Sequence, residues 1–264
     1  MGGGTPTTLS EKDLERVLIQ INRHLDMTNI KEFTLEAGRE DSLTEKKFYL
    51  AKEYGVDRIS LNPQTFNEET LAKVNRRFNR ENFDKFFKLG KELGFIINMD
   101  LIIGLPDEST EDILYTLNEV EKYDIDNLTV HSLAFKRASN LFKEDKSRKE
   151  IDREVIENRI KDLVASKEMF PYYMYRQKNI MEWGENVGYS KEGKESIFNI
   201  EMIEENQSTM GLGGGAITKI VLEEGDGKDY IERIVNPKDP ALYIREMKER
   251  MESKCKLFDR LGER

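Results

Sequence analysis

The chain of 264 residues carries 42 Lys and Arg against 51 Asp and Glu, a formal net charge of −9, with 38% apolar and 35% charged residues. That acidic balance excludes a nucleic-acid-coating protein, and the periodic apolar stretches exclude wholesale disorder. No run approaches the roughly 18 apolar residues of a membrane span and no signal-peptide pattern opens the chain, so a soluble, cytoplasmic protein is expected.

In chain order, Met1 is followed directly by the turn Gly2-Gly3-Gly4-Thr5-Pro6-Thr7. Such turns usually follow a strand, where bare backbone N–H groups can approach a ligand. With no strand in front, the chain reads as the remainder of a longer one; the alternative is a flexible terminal scar. Ser10 and Asp13 have capping-box spacing and predict a helix whose buried face is Leu14, Val17, Leu18, Ile21 and Leu25. A strand is expected over 32–37, closed by Gly38, then a helix over 44–54 and a strand over 58–64. Helical segments over 68–74 and 81–93 lead to a strand over 96–103. Ser109 and Asp112 cap a further helix, with Ile113, Leu117 and Val120 inside, and a strand follows over 128–134. Alternating strands and helices with short connections predict an α/β protein with a parallel sheet or a barrel.

Beyond 134 the rhythm changes. A charged helix is expected over 145–167, followed by the aromatic segment Tyr172-Tyr173-Met174-Tyr175, a glycine cluster over 211–215 and a final helix over 240–258. The glycine cluster reads as a close-packed turn, since no Lys-Ser/Thr pair follows as in a phosphate loop. Trp183 with Tyr172, Tyr173, Tyr175 and Tyr189 reads first as packing, with the wall of a flat ligand as the alternative.

Residues two apart on a strand share a face. Thr34 and Glu36 share one, as do Ser60, Asn62 and Gln64, then Asn98 and Asp100, then Thr129 and His131. The opposite faces, Phe33/Leu35, Ile59/Leu61, Ile97/Met99/Leu101 and Leu128/Val130, are apolar. Helices covering the apolar side leave the polar sides lining one interior, at the strand ends where β/α proteins hold ligands. Burying Glu36 and Asp100 without partners is costly, so a polar or cationic ligand is expected. The competing reading is a structural ion-pair network with Arg39, Arg58 and Arg76.

Gly-Gly-Gly-Thr-Pro-Thr at 2–7, Leu-Glu-Ala-Gly-Arg at 35–39, Arg-Ile-Ser-Leu-Asn-Pro-Gln-Thr at 58–65 and Asn-Met-Asp-Leu-Ile-Ile-Gly-Leu-Pro at 98–106 stand in order. Together they resemble the radical S-adenosylmethionine enzymes of the oxygen-independent coproporphyrinogen III oxidase family. Tyr-Arg-Gln-Lys-Asn at 175–179, Glu-Asn-Val-Gly-Tyr at 185–189 and Gly-Leu-Gly-Gly-Gly-Ala at 211–216 resemble its coproporphyrinogen dehydrogenase branch, of Gram-positive and related anaerobic bacteria. The resemblance implies an incomplete (β/α) barrel of the radical-SAM type with an elaborated C-terminal α+β portion. It divides the chain into a partial barrel over 1–140 and a barrel-completing, substrate-covering region over 141–264.

The implied activity is oxidative decarboxylation of coproporphyrinogen III to protoporphyrinogen IX in heme biosynthesis by a 5′-deoxyadenosyl radical, using S-adenosylmethionine, a 4Fe–4S cluster and an external reductant. The implied cofactor contacts are Gly2, Gly3, Gly4 and Thr5 in the glycine turn, together with Glu36, Gln64, Arg76, Asp100 and Ala134. Asp100 suits ribose hydroxyls and Arg76 a carboxylate. Arg39, Arg176 and Lys178 would hold the propionates of a tetrapyrrole; Arg176 and Lys178 equally read as solvated loop charges.

The family's C-x-x-x-C-x-x-C cluster loop lies upstream of the glycine triplet, whereas Cys255 is the only cysteine here and His24 and His131 are the only histidines. A cluster, a zinc ribbon or an internal disulfide built by this chain alone is therefore excluded, and the chain by itself is expected to be inactive. Two rivals are a cluster-free binding or scaffold descendant and the heme-chaperone branch. That branch has H-N-x-x-Y-W where this chain reads Phe-Asn-Ile-Glu-Met-Ile over 198–203.

Overall fold

The structure is a computed structural model that describes residues 1–133, 151–175, 185–223 and 229–262. The chain forms two compact units, Met1–Ile197 and Phe198–Arg264.

The first unit is built on one open sheet of six strands in the order β1-β2-β3-β4-β6-β5. β1 (Thr34–Leu35), β2 (Arg58–Ser60), β3 (Ile96–Ile103) and β4 (Asn127–Ser132) run parallel, while β5 (Phe170–Tyr175) and β6 (Asn186–Ser190) run antiparallel. No closed barrel forms among the described residues. Helices α1 (Glu11–His24), α2 (Glu45–Glu53), α3 (Glu68–Lys73), α4 (Arg80–Glu92), α5 (Thr110–Glu121) and α6 (Arg153–Ser166) intervene along the chain. Each starts where a side chain satisfies a free N–H of the first turn: Ser10, Thr44, Asn67, Asn79, Ser109 and Asp152 accept from the backbone three residues on. The Ser109–Asp112 box is reciprocal. At α1 Asp13 bonds the Ser10 hydroxyl at 2.8 Å, and no return bond to the Ser10 backbone is seen.

The apolar strand faces meet the helices as the alternation requires. Ile59, Ile97, Met99, Leu101, Leu128 and Val130 join Phe48, Phe83, Phe86, Ile113 and Leu117 in one buried core. Each such side chain stabilises the fold by about 1.5–3 kcal/mol relative to an exposed one. Only part of the expected α1 face is buried, however. Leu14 and Leu18 are at 0% exposure, while Val17 is at 37% and Leu25, beyond the last turn, at 54%.

Two strands are shorter than expected, and both for a local reason. β2 stops at Ser60 because Pro63 has no N–H to give to the ladder. The chain bows out at Asn62–Pro63 and re-docks at Gln64, whose N–H donates to Asp100 O at 3.1 Å and whose carbonyl accepts from Ile102 N at 2.8 Å. Strict alternation therefore fails past Leu61. β1 pairs with β2 only over Thr34 and Leu35, and its other edge is lined by Met1: Met1 N donates to Thr34 O and Glu36 N to Met1 O at 2.9 Å. β4 begins one residue early, at Asn127, and α6 begins at Arg153. The aromatic segment is a strand, β5, which the sequence analysis did not assign.

The second unit contains the hairpin β7 (Ile217–Glu223) and β8 (Asp229–Val235), with α7 (Ile197–Glu204) at its boundary and α8 (Pro240–Gly262) at its end. Ile220, Leu222 and Leu257 form its small core. The glycine cluster is a packed turn there: Lys254 Nζ donates to Gly211 O at 2.6 Å and Asn236 Nδ2 to Gly213 O at 2.7 Å.

Candidate functional site

The polar faces of β1–β4 converge as anticipated, but they differ in character along the strands. At the N-terminal end the interior is plugged. Arg58, at 3% exposure, donates to Asn127 Oδ1 and to the carbonyls of Lys194 and Glu195, each at 2.9 Å, and lies 3.6 Å from Glu32. Asn127 Nδ2 in turn donates to Ser190 Oγ at 2.8 Å. The ion pair here joins Arg58 to Glu32; the network considered from sequence, of Glu36 and Asp100 with Arg39, Arg58 and Arg76, does not form among the described residues.

At the C-terminal end the groups are linked to one another yet incompletely satisfied. Asn98 Nδ2 donates to Asp100 Oδ1 at 2.9 Å, and Asp100 N donates to Asn62 Oδ1 at 3.2 Å, so a side-chain oxygen supplies the acceptor for this strand N–H where the β2 ladder ends. Arg76 Nη2 donates to the carbonyl of Gly38 at 2.8 Å and to that of Asn62, tying the ends of β1 and β2 together. Burial pulls the Arg76 guanidinium below its ordinary range, against the nearby charges of Glu40, Asp41 and Asp100. Among the described residues three buried atoms of this network have no partner: Gln64 Oε1, Arg76 Nε and Asn98 Oδ1. Leaving such groups unpaired costs about 1–3 kcal/mol each. Gln64 also sits at φ +66°, a conformation rare for a side-chain-bearing residue and concentrated at functional sites. Arg76 further lines a cavity of about 660 Å³ with Leu71, Asn75, Arg77 and Phe78.

Glu36 is half-buried and forms no hydrogen bond or ion pair with another described side chain. Its carboxylate fills the space that a side chain at Gly2 would take. Gly3 and Gly4 are exposed, and Thr5 leads into the short turn Pro6–Thr8. That turn is anchored from below: buried Lys47 donates to Thr7 O at 2.6 Å and to Ser42 O at 2.7 Å.

The structure separates the remaining expectations. Arg39 forms a two-point pair with Asp41, Nε to Oδ1 at 3.0 Å and Nη2 to Oδ2 at 2.5 Å, on an exposed stretch. The Arg39 guanidinium lowers the Asp41 carboxyl below its usual range. Ala134, Arg176, Lys178 and Trp183 lie outside the described residues.

Sequence reasoning missed the contribution of β5. Tyr173 Oη lies 3.1 Å from Thr129 Oγ1, and Tyr175 Oη 3.1 Å from His131 Nδ1. The two rings are stacked, 6.2 Å apart and 6° from parallel. His131 Nε2 is 3.9 Å from Asp100 Oδ1, so the tyrosines extend the Asp100 network across the sheet. Burial pushes the Tyr173 phenol above its ordinary value. The signal was present as the alternation Tyr173/Tyr175, which marks one strand face.

These groups call for a polar ligand that carries both hydrogen-bond donors and an anionic acceptor. Gln64 Oε1, Asn98 Oδ1 and the Asp100 and Glu36 carboxylates require donors such as hydroxyls and an amine, and Arg76 Nε requires an acceptor such as a carboxylate. They do not fit an iron–sulfur cluster. Cys255 is the chain's only cysteine, it is exposed, and no group of three metal-binding side chains occurs among the described residues.

Residues 1–120 match the model of the radical SAM superfamily. The chain is 41% identical over 268 residues to the oxygen-independent coproporphyrinogen-III oxidase-like protein HemZ of Bacillus subtilis, an alignment that covers all of this chain and 53% of that protein. It is 30% identical over 242 residues to the heme chaperone HemW of the same organism, covering 89% of this chain and 61% of that one. The solved structure of coproporphyrinogen III oxidase (HemN) from Escherichia coli, a radical SAM enzyme, superposes with a TM-score of 0.68. That match covers 94% of this chain and 56% of the other at 19% identity, a likeness of fold. The chain thus spans little more than half the length of these relatives.

Proposed function

Residues 1–120 carry a radical SAM domain, and from that premise we propose that the C-terminal ends of β1–β4 bind S-adenosylmethionine in a protein that decarboxylates a propionate-bearing tetrapyrrole. The observation that carries the binding site is the set of three buried atoms without partners, Gln64 Oε1, Arg76 Nε and Asn98 Oδ1, on one hydrogen-bonded network with Asp100. Likeness to HemZ carries the choice of reaction.

In this reading the Asp100 carboxylate accepts from the two ribose hydroxyls, held in orientation by the Asn98 amide. Arg76 Nε donates to the ligand carboxylate, while Nη2 keeps the guanidinium fixed on two backbone carbonyls. Gln64 Oε1 and the carboxylate of Glu36 receive the ligand's ammonium, and the backbone of Gly2–Gly4 lies alongside. When bound, S-adenosylmethionine would supply the family's hydrogen-abstracting chemistry, which calls for an iron–sulfur cluster that finds no ligands among the described residues. The chain's own part is to bind, orient and exclude water. The substrate's propionates would meet Arg39, Arg176 and Lys178.

Titration of the full chain with S-adenosylhomocysteine in a calorimeter tests the site. Binding that weakens at least tenfold in Asp100→Asn and in Arg76→Met supports it; equal affinity in both variants rejects it. Joined behind a C-x-x-x-C-x-x-C segment and loaded with iron and sulfide, the chain should cleave S-adenosylmethionine and release carbon dioxide from coproporphyrinogen III. A loaded, folded protein that does neither and instead binds heme would replace this reading with the chaperone one, in line with the likeness to HemW.

A further inference from the structure

One row of residues crosses four strands at the level of Asp100. Asp100 is paired in register with Thr129, Thr129 with Gly188, and Gly188 with Tyr173. The Tyr173 side chain does not stand away from the sheet at its own position. It folds back along the row, over Gly188, until its hydroxyl reaches Thr129 Oγ1 at 3.1 Å. A Cβ at position 188 would fall inside the Tyr173 ring, closest to Cε1 and Cδ1. The absence of a side chain at 188 is therefore what lets the ring lie flat. Tyr175 stacks parallel to it, and Tyr172 meets it edge-on at 4.8 Å between centroids. Tyr173 retains a partly open surface, and the Asp100 charge is near enough to act on its phenol.

We propose that Gly188 is a positioning residue that lays Tyr173 down as an aromatic floor beside Asp100, and that this floor packs against the base of the bound nucleoside. The inference rests on the reading of Asp100 as the ribose contact. Two strand spacings, about 10 Å, separate Asp100 from Gly188. A ribose held at Asp100 therefore places its base over the Tyr173 ring. A flat, half-buried ring whose polar end is already engaged offers a face and not a hydrogen bond, so it selects for a planar, apolar-faced group. The hydroxyl bond to Thr129 removes the remaining rotational freedom of the ring and pre-organises the floor before a ligand arrives.

The test is calorimetric titration of the full chain with two probes, S-adenosylhomocysteine and S-ribosylhomocysteine, which share ribose and amino acid but differ in the base. Gly188→Ala and Tyr173→Leu should each weaken S-adenosylhomocysteine about tenfold and leave S-ribosylhomocysteine unchanged. Asp100→Asn should weaken both. The double variant Gly188→Ala/Tyr173→Ala removes the steric conflict, so it should regain the melting temperature lost by Gly188→Ala without regaining affinity. Full affinity in Tyr173→Leu or in the double variant would overturn the floor, as would equal weakening of both probes in Tyr173→Leu. Unchanged binding of both probes in Asp100→Asn would instead remove the ribose contact on which the inference stands. Should Gly188→Ala fail to fold, Tyr173→Leu alone carries the comparison, since it leaves Gly188 in place.

Discussion

Glu108 should make the first unit less stable as pH rises through neutrality. It is at 3% exposure, and its Oε2 accepts from Gly104 N at 3.0 Å and Leu105 N at 3.2 Å, with the Thr65 hydroxyl as a further donor. Burial is the dominant influence and raises the carboxyl from 4.5 to about 7, against those hydrogen bonds. Between these two values the folded chain holds a proton that the unfolded chain has released. Unfolding then releases it, and stability falls with rising pH. The contribution is complete below 4.5 and gone above 7. The gap of 7 − 4.5 = 2.5 corresponds to about 3 kcal/mol in total, most of it lost between pH 5 and pH 8.

Glu108→Gln mimics the protonated acid: its amide oxygen still accepts from Gly104 and Leu105, and it carries no charge. Urea unfolding should show the variant more stable than wild type by about 1 kcal/mol at pH 5. At pH 8 it should be more stable by about 3 kcal/mol, or roughly 6–12 °C in melting temperature. A variant that is weaker than wild type by the same amount at both pH values would refute the reasoning.

Arg58→Met should destabilise the fold by about 3–5 kcal/mol, because Asn127 Oδ1 and the Glu32 carboxylate lose their buried cation; a loss under about 1 kcal/mol in denaturant titration would show the plug to be dispensable. Leu14→Ala should cost about 2–5 kcal/mol and Leu25→Ala under about 0.5 kcal/mol, since one is sealed and the other open. Equal losses in thermal melts would contradict the α1 face described above. Ser109→Ala should cost about 1 kcal/mol through loss of the reciprocal cap of α5, with amide exchange of Asp112 rising first. Unchanged protection at Asp112 would count against it.

Local rules made the parallel half of the sheet readable. β3 was legible to the residue because its β-forming run Ile96–Ile103 has no proline and alternates over Ile97–Leu101, and α5 because Ser109 and Asp112 cap each other. Where one residue overrides the alternation, reading failed: Pro63 ends β2 early and sends Gln64 into a conformation that no pattern of side chains announces. The shared polar face was legible from parity, yet parity cannot distinguish Arg58, tied to Asn127 and Glu32 at one end, from Arg76, held only on two backbone carbonyls at the other. That difference depends on Asn127 and Glu32 arriving from distant segments. The tyrosines of β5 escaped for a similar reason. Their segment reads as aromatic packing until β6 supplies a glycine opposite Tyr173.

The strand order β4-β6-β5 also dictates a sequence of assembly. β5 leaves the ribosome before β6, yet in the sheet it is bonded to β6 and not to β4. It pairs first with its chain neighbour β6, and the hairpin then adds to β4 as a unit. The βα contacts of β1–β4 and the β5–β6 pairing close small loops, whereas the junction of β6 with β4, which Tyr173 and Tyr175 bridge to Thr129 and His131, closes the long one and forms late. Substitutions at Tyr173 and Tyr175 accordingly belong to the late stage of folding. They should accelerate unfolding while leaving the folding rate of the parallel half largely untouched.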